Sequence, residues 1–300
     1  MKEKLLLTGS SGMLGSNISL ELKDSYEITG VYRNSVSDEL KDQYKLDLRD
    51  PAEVKTLASK IKPDLIVHCA AMTDVERCED DYSSARETNA LTVKNLLTAF
   101  GPGKRFVYIS TDSVFDGRSG NYSETDLPSP LNNYAKTKLE GEWFTEQGSN
   151  NYVIIRTNIF GWNRIEGESF AEWVHNNLKS GKPVKMFTDV LFSPIYANTL
   201  ARYIGVLSRS AFTGRINIGA NSPVSKFDFG LLLCGAFGFD ASLITPVSID
   251  SFSFKARRPK NTSLDISKAK QLLGEMPSVT EGVNGFFKSK ERLGKCALKE

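Results

Sequence analysis

Histidine and cysteine are scarce in this chain of 300 residues, with two of the first and four of the second. Cys69, Cys78, Cys234 and Cys296 form no CxxC, and only His68 and His175 could join them. A zinc site of the usual spacing is therefore not expected. So few cysteines also argue against a disulfide scaffold and for a reducing cytoplasm. Long apolar runs are missing too. The N-terminal run is three leucines, too short for a signal-peptide core. The longest apolar stretch, Gly230 to Phe239, lies between Asp228 and Asp240 and reads as a buried helix, not a membrane span. Charge of one sign is not in excess: 38 Lys plus Arg stand against 36 Asp plus Glu. Neither a nucleic acid nor a membrane is expected as a partner, although a local basic pocket for a phosphorylated small molecule stays compatible. What is present is 40% hydrophobic and 25% charged residues, enough for a sizeable core in one large domain or two modest ones.

The first half alternates short β-rich runs with helical patterns. Strands are expected at Lys4–Thr8, Glu27–Tyr32, Tyr44–Asp47, Leu65–Cys69, Arg105–Ser110 and Tyr152–Arg156. Helical spacing covers Met13–Lys23, a segment opened by Pro51, roughly Ser83–Phe100, and Asn133–Gln147. Such alternation implies βαβ units, and the nearly all-apolar strands suit a parallel sheet covered on both faces. The fold class is therefore α/β, a doubly wound parallel sheet over residues 1–157. A smaller α+β part is expected at 158–189 and 220–300, with 190–219 returning to the main sheet.

Thr8-Gly9-Ser10-Ser11-Gly12-Met13-Leu14-Gly15 fits TGxxGxxG between the first strand and the first helix. There Gly9 permits a tight turn, Gly12 lets the backbone approach a pyrophosphate, and Gly15 permits close packing. With Ser11, Met13 and Leu14 these residues form the candidate phosphate cradle at a helix N-terminus. An acidic residue after the second strand would favour NAD. This chain has Tyr32-Arg33-Asn34, and Arg33 can pair with a 2′-phosphate, so NADP(H) is favoured over NAD(H). Asp47-Leu48 suits the adenine amino group, or Asp47 caps a helix.

Tyr134 and Lys138 form a YxxxK pair, one helical turn apart. Lys138 is expected to lower the pKa of Tyr134 and to hold the nicotinamide ribose, making the phenol a proton donor near neutral pH. The spacing alone means little: ten tyrosines among 24 lysines predict about 0.8 chance occurrences. Its place after the fifth strand gives it weight. Thr111 ends that strand, where ligands of open parallel sheets bind, and can hydrogen-bond the oxygen that Tyr134 protonates.

TGSSGMLG, HCAAMTDVERCE, ETNA, YISTDSVFDG, PLNNYAKTKLEGE and IIRTNIFG, in that order, resemble the extended short-chain dehydrogenase/reductase family. YISTDSVFDG, the KTKLEGE segment and ARRPKNTSLDIS are similar to its dTDP-4-dehydrorhamnose reductase branch. The resemblance implies a Rossmann-type domain with a smaller C-terminal substrate domain, a Thr111–Tyr134–Lys138 triad, and NADPH-dependent reduction at C4 of a 4-keto-6-deoxy sugar nucleotide. It implies cofactor contacts at Ala70, Ala71 and Met72, and substrate contacts at Thr111, Asp112, Asn158 and Arg258, the last at the diphosphate.

Neighbouring branches fit less well. The 4,6-dehydratases carry an Asp-Glu pair where this chain has Asp112-Ser113, and NAD-holding epimerases usually carry an acidic residue near Arg33. Rhamnose-forming members have a tryptophan after the RTS segment. Here Ile159 follows Arg156-Thr157-Asn158, with Trp162 nearby. Members that bind magnesium at a dimer contact carry glutamate at the position of Asn17, so no metal is expected, and a homodimer through another contact stays open. Residues around Glu166–Trp173 and Phe192–Tyr196 are expected to shape the sugar pocket. The non-catalytic regulatory subunit of methionine adenosyltransferase shares many of these motifs and is the alternative, beside an epimerase.

Overall fold

The computed structural model describes residues 2–36, 40–165 and 167–296, with side chains up to 290. The first half lays down β1 (Glu3–Thr8), α1 (Met13–Leu22), β2 (Tyr26–Tyr32), β3 (Asp42–Lys45), α2 (Pro51–Lys60) and β4 (Leu65–His68). It continues with α3 (Val75–Asp80), α4 (Tyr82–Arg86), α5 (Thr92–Phe100), β5 (Arg105–Ile109), α6 (Asn133–Gly148) and β6 (Tyr152–Phe160). Every pairing among these strands is parallel, in the order β6-β5-β4-β1-β2-β3. The order reverses between β1 and β4, which opens a crevice at the carboxyl ends of the strands.

Alternation along the strands decides which helices cover which face. Leu5 and Leu7 of β1 pack with Leu14 and Ile18 of α1, whereas Leu6 packs with Val54, Leu57, Val93 and Leu96 of α2 and α5. In β5, Val107 and Ile109 join the first set, and Phe106 and Tyr108 the second. Both faces are therefore buried.

The second half contributes α7 (Phe170–Lys179), β7 (Val184–Phe187), β8 (Leu191–Phe192), β9 (Pro194–Tyr196), α8 (Ala197–Arg209) and β10 (Gly214–Ile218). It ends with β11 (Val224–Ser225), α9 (Lys226–Phe237), β12 (Ile244–Val247), α10 (Ser267–Leu273) and α11 (Val279–Cys296). Strands β9 and β10 both pair with β6 and complete the main sheet. Beside it, β7 pairs with β12 and β8 with β11, and α7, α9 and α11 close a separate core around Phe160, Phe229 and Phe286. Helix α9 covers most of the long apolar run and stops at Gly238, whose φ of 68° is the left-handed C-cap that glycine accepts most readily. Among the described residues no helix is long and apolar enough to cross a membrane.

Three elements differ from the sequence reading by more than a single residue at an end. Strand β3 begins two residues earlier, because Asp42 rather than Tyr44 is the first partner of β2. Strand β6 runs past Arg156 to Phe160, because β9 arrives to pair with Asn158–Phe160. The long helix expected near 83–100 is broken: a π-helical turn, Glu87–Leu91, separates α4 from α5. That wide turn carries Asn89, whose side chain accepts from the Met72 N–H (2.7 Å) and donates to the Met72 carbonyl (3.1 Å).

Candidate active site

Three loops meet at the crevice. In the first, Gly9 has φ 66°, and a Cβ there would stand 2.7 Å from the Ala70 nitrogen. A Cβ at Gly15 would collide with the Gly9 carbonyl, so helix α1 packs directly on the turn. Gly12 is the N-cap of α1, and no side chain caps that end. First-turn N–H groups have no partner within their own helix and carry the positive end of its dipole. Gly9, Gly12, Met13 and Leu14 line a cavity of about 820 Å³. An adjoining cleft of about 400 Å³ shares Gly9, Gly12 and Ala71 with it and adds Ser11, Arg33, Asp47, Leu48, Ala70 and Met72. A glycine cradle, an uncapped helix end and a long two-part cleft fit a dinucleotide. The cleft also takes in Arg77, which lies within the HCAAMTDVERCE segment but to which the sequence assigns no role, and Ile165, which belongs to no motif.

Arg33 is exposed and reaches the charge field of Asp47. Hydrogen bonds from Arg49, with smaller pulls from the Arg49 and Arg33 charges, hold the Asp47 carboxyl below its usual range. Asp47 does not cap α2. Asp50 does, accepting from the Ala52 N–H at 2.8 Å.

The reacting groups come from β5 and α6. The Asn132 side chain caps α6 by accepting from the Ala135 N–H (2.9 Å) and donates to the Arg257 carbonyl (2.8 Å). Glu79 of α3 accepts from the Asn133 N–H at 2.9 Å. These ties fix the turn that carries Tyr134. Its phenol neighbours the Thr111 hydroxyl, and both line the larger cavity with Lys138 and Asn158. Lys138 is 3% exposed, and its Nζ lies 4.2 Å from the centroid of the Tyr108 ring. The Tyr108 hydroxyl donates to the carbonyls of Asn89 (3.1 Å) and Lys138 (3.2 Å).

One electrostatic expectation is corrected here. Burial pushes the Tyr134 phenol up to about 12, the Asp112 charge adds to that, and only the neighbouring Thr111 hydroxyl opposes it. Lys138 has no resolved share in that shift. Burial drives Lys138 itself down to about 7, against smaller upward pulls from Cys69 and Glu142. The one-turn spacing is real, but enclosure outweighs the pairing.

Asp112 is a second correction. It is 1% exposed and lies behind the cavity wall. Its carboxylate accepts from Thr262 (2.6 Å), Asn158 (3.1 Å), Thr111 (3.2 Å) and Ser113 (3.3 Å). It thus organises four residues of the wall from behind, and its own carboxylate is not part of the lining. Arg258 does line the cavity, yet its guanidinium is held at 2.7 Å by Glu76. Trp162 is turned away, donating to the Phe286 carbonyl at 2.9 Å and stacking on that ring. Gly167, Ser169, Phe170 and Phe192 reach the cavity, whereas Glu166 lies outside the described residues. Sequence reasoning missed Phe187, Phe254, Lys226 and Thr262 on the same wall. Phe187, Phe254 and Lys226 arrive on long-range contacts with no local motif, whereas Thr262 lies inside the ARRPKNTSLDIS segment.

Beneath the site, Glu142 accepts from Ser110 Oγ (2.5 Å) and from Arg156 Nη2 (2.7 Å), with Arg156 wholly buried. This network ties the end of β5, beside Thr111, to the helix of Tyr134. Leaving the arginine unpaired costs about 3–5 kcal/mol. Glu142→Ala is therefore expected to lower the unfolding temperature by on the order of 10 °C. Thermal unfolding checks it, and a change near zero would show that the pair contributes little.

Open parallel sheet, glycine cradle, and a buried lysine one turn from a phenol together define the class, an extended short-chain dehydrogenase/reductase. The chain belongs to the RmlD substrate binding domain family, whose model matches residues 3–291. It is 30% identical over 274 residues to the probable low-salt glycan biosynthesis reductase Agl14 of Haloferax volcanii, over 89% of this chain and 91% of that protein. It is 29% identical over 278 residues to methionine adenosyltransferase 2 subunit beta of Xenopus tropicalis, over 90% of this chain and 82% of that one. Its fold superposes with a TM-score of 0.86 on the dTDP-4-dehydrorhamnose reductase of Bacillus anthracis in complex with NADP. That protein is 30% identical, with 96% of this chain and 100% of that chain covered.

Proposed function

We propose that this protein is an NADPH-dependent reductase of the C4 ketone of a 4-keto-6-deoxy sugar nucleotide, acting in the cytoplasm in the supply of deoxysugar precursors. The observation that carries the reading is the position of Thr111, Tyr134 and Lys138. They stand on the wall of a cavity with a glycine cradle on one side and aromatic and cationic side chains on the other. When bound in the cradle, the reduced dinucleotide supplies the hydride for the carbonyl carbon. Tyr134 keeps its proton at neutral pH and delivers it from Oη to the carbonyl oxygen, which completes the alcohol. Thr111 hydrogen-bonds the same oxygen as negative charge develops there. Lys138 holds the ribose and brings a positive charge close to the reacting groups. Ser113 follows Asp112 where a dehydratase would need a carboxylate, so the site is suited to reduction of the ketone and not to dehydration. Unpaired thiols at Cys69, Cys78 and Cys234 agree with a reducing compartment.

The test is incubation with NADPH and a panel of dTDP-, GDP-, UDP- and CDP-linked 4-keto sugars. Consumption of NADPH with at least one is expected, and none with any of them contradicts the proposal. Preference for NADP over NAD rests on Arg33. Arg33→Ala is expected to weaken NADPH binding by ~10- to 100-fold while changing NADH binding little. Equal losses for both would refute a 2′-phosphate contact.

Likeness to methionine adenosyltransferase 2 subunit beta favours a second reading, a regulatory subunit that binds NADP without turning it over. A stoichiometric larger partner recovered with the protein, together with no turnover across the sugar panel, would select it.

A further inference from the structure

Lys226 opens α9, and its backbone N–H is anchored on the Val190 carbonyl at 2.9 Å. Its side chain lines the large cavity on the side of Arg258 and Thr262. The Nζ lies 3.5 Å from the centroid of Phe192 and 4.3 Å from that of Phe170. Two ring faces hold a cation by electrostatic attraction, but they neutralise none of its charge.

The surrounding charges leave Lys226 under-compensated. The acidic group it feels is Asp112, whose carboxylate is already occupied by Thr262, Asn158, Thr111 and Ser113. Among the described residues no ion pair joins that carboxylate to Lys226. The other charge it feels is the Arg258 guanidinium, which repels it and is itself tied back to Glu76. Burial lowers the Lys226 ammonium to about 8, against a smaller upward pull from Asp112, so its charge is only partly compensated within the protein. Two cations facing one cavity, with the nearby acids engaged elsewhere, form a receptor for an anion with more than one charged oxygen.

We infer that Lys226 is a substrate-binding residue that grips the diphosphate of the nucleotide sugar, with Arg258 on the same cavity wall. This rests on the proposed substrate class, in which the diphosphate is the one strongly anionic group. Lys226 then sets how tightly the nucleotide end is held, while Thr111 and Tyr134 act on the sugar carbonyl. The aromatic cage restricts the ammonium in advance and limits the freedom lost on binding.

The test is calorimetric binding of dTDP, UDP, GDP and CDP, and of the matching nucleosides, to the NADPH-loaded protein and its variants. For the diphosphate that binds wild type best, Lys226→Met is expected to weaken binding by at least ~10-fold. Lys226→Arg is expected to restore most of it. Binding of the matching nucleoside and of NADPH should stay the same, and with the keto sugar KM should rise more than kcat falls. Equal diphosphate affinity in wild type and Lys226→Met, with a folded variant, would overturn the inference and leave the substrate class standing. No binding of any nucleoside diphosphate to wild type would overturn the inference together with the proposed substrate class.

Discussion

Tyr134→Phe is expected to lower kcat by ~100- to 10,000-fold, the usual loss when a positioned proton donor is removed. The phenol keeps its proton throughout the physiological range, since burial pushes it up to about 12. Phenylalanine keeps the ring and its packing, so NADPH affinity and unfolding temperature should hardly move. Thr111 retains its bond to Asp112 and its acceptance of the Ser113 N–H, and so stays in place. Steady-state kinetics with NADPH and the best keto sugar, beside a fluorescence titration with NADPH alone, separates chemistry from binding. Near-wild-type turnover would show that another group delivers the proton.

Lys138→Met is expected to abolish turnover and to stabilise the protein without ligand. The folded ammonium titrates at about 7 against an ordinary value of 10.5, because burial disfavours its charge. Between those two values the unfolded chain binds more protons than the folded one, so this group makes stability rise with pH. Below pH 7 both states carry the charge and the penalty is complete. The stabilisation by Lys138→Met should therefore be largest below about pH 7 and shrink as pH approaches 10.5. Urea unfolding of both proteins at several pH values measures it. A constant difference, or a variant less stable at low pH, would contradict the assignment of the strain to this lysine. A gain in stability bought with lost function is the usual mark of a functional buried charge.

The features that were legible in the sequence are local ones. Strand β1 is followed by TGSSGMLG within a few residues, and the pleat of apolar strands announces a sheet covered on both sides. Arg33, Tyr134 and Lys138 were legible for the same reason: each sits at a fixed offset from a strand end or a helix turn. Features that depend on distant chain were not. Asp112 seemed to be a substrate contact until Thr262, 150 residues away, closed over its carboxylate. Asn89 lay inside an apparently continuous helix, and its π turn leaves no periodic signature. Lys226 belongs to no motif, and its cage of Phe170 and Phe192 exists only after α7, β8 and α9 pack together. The phenol pKa followed the same rule, because spacing shows which groups are adjacent and only packing shows how deeply they are enclosed.

The central claim is hydride transfer from the dinucleotide to C4 of a nucleotide-linked keto sugar. It is tested most directly with NADPH carrying deuterium at its transferable C4 position, followed by mass spectrometry and NMR of the sugar product. One deuterium at C4 of the product alcohol, from one face of the nicotinamide, is the predicted result. A product without the label, or unchanged keto sugar after prolonged incubation with every nucleotide in the panel, would contradict the account.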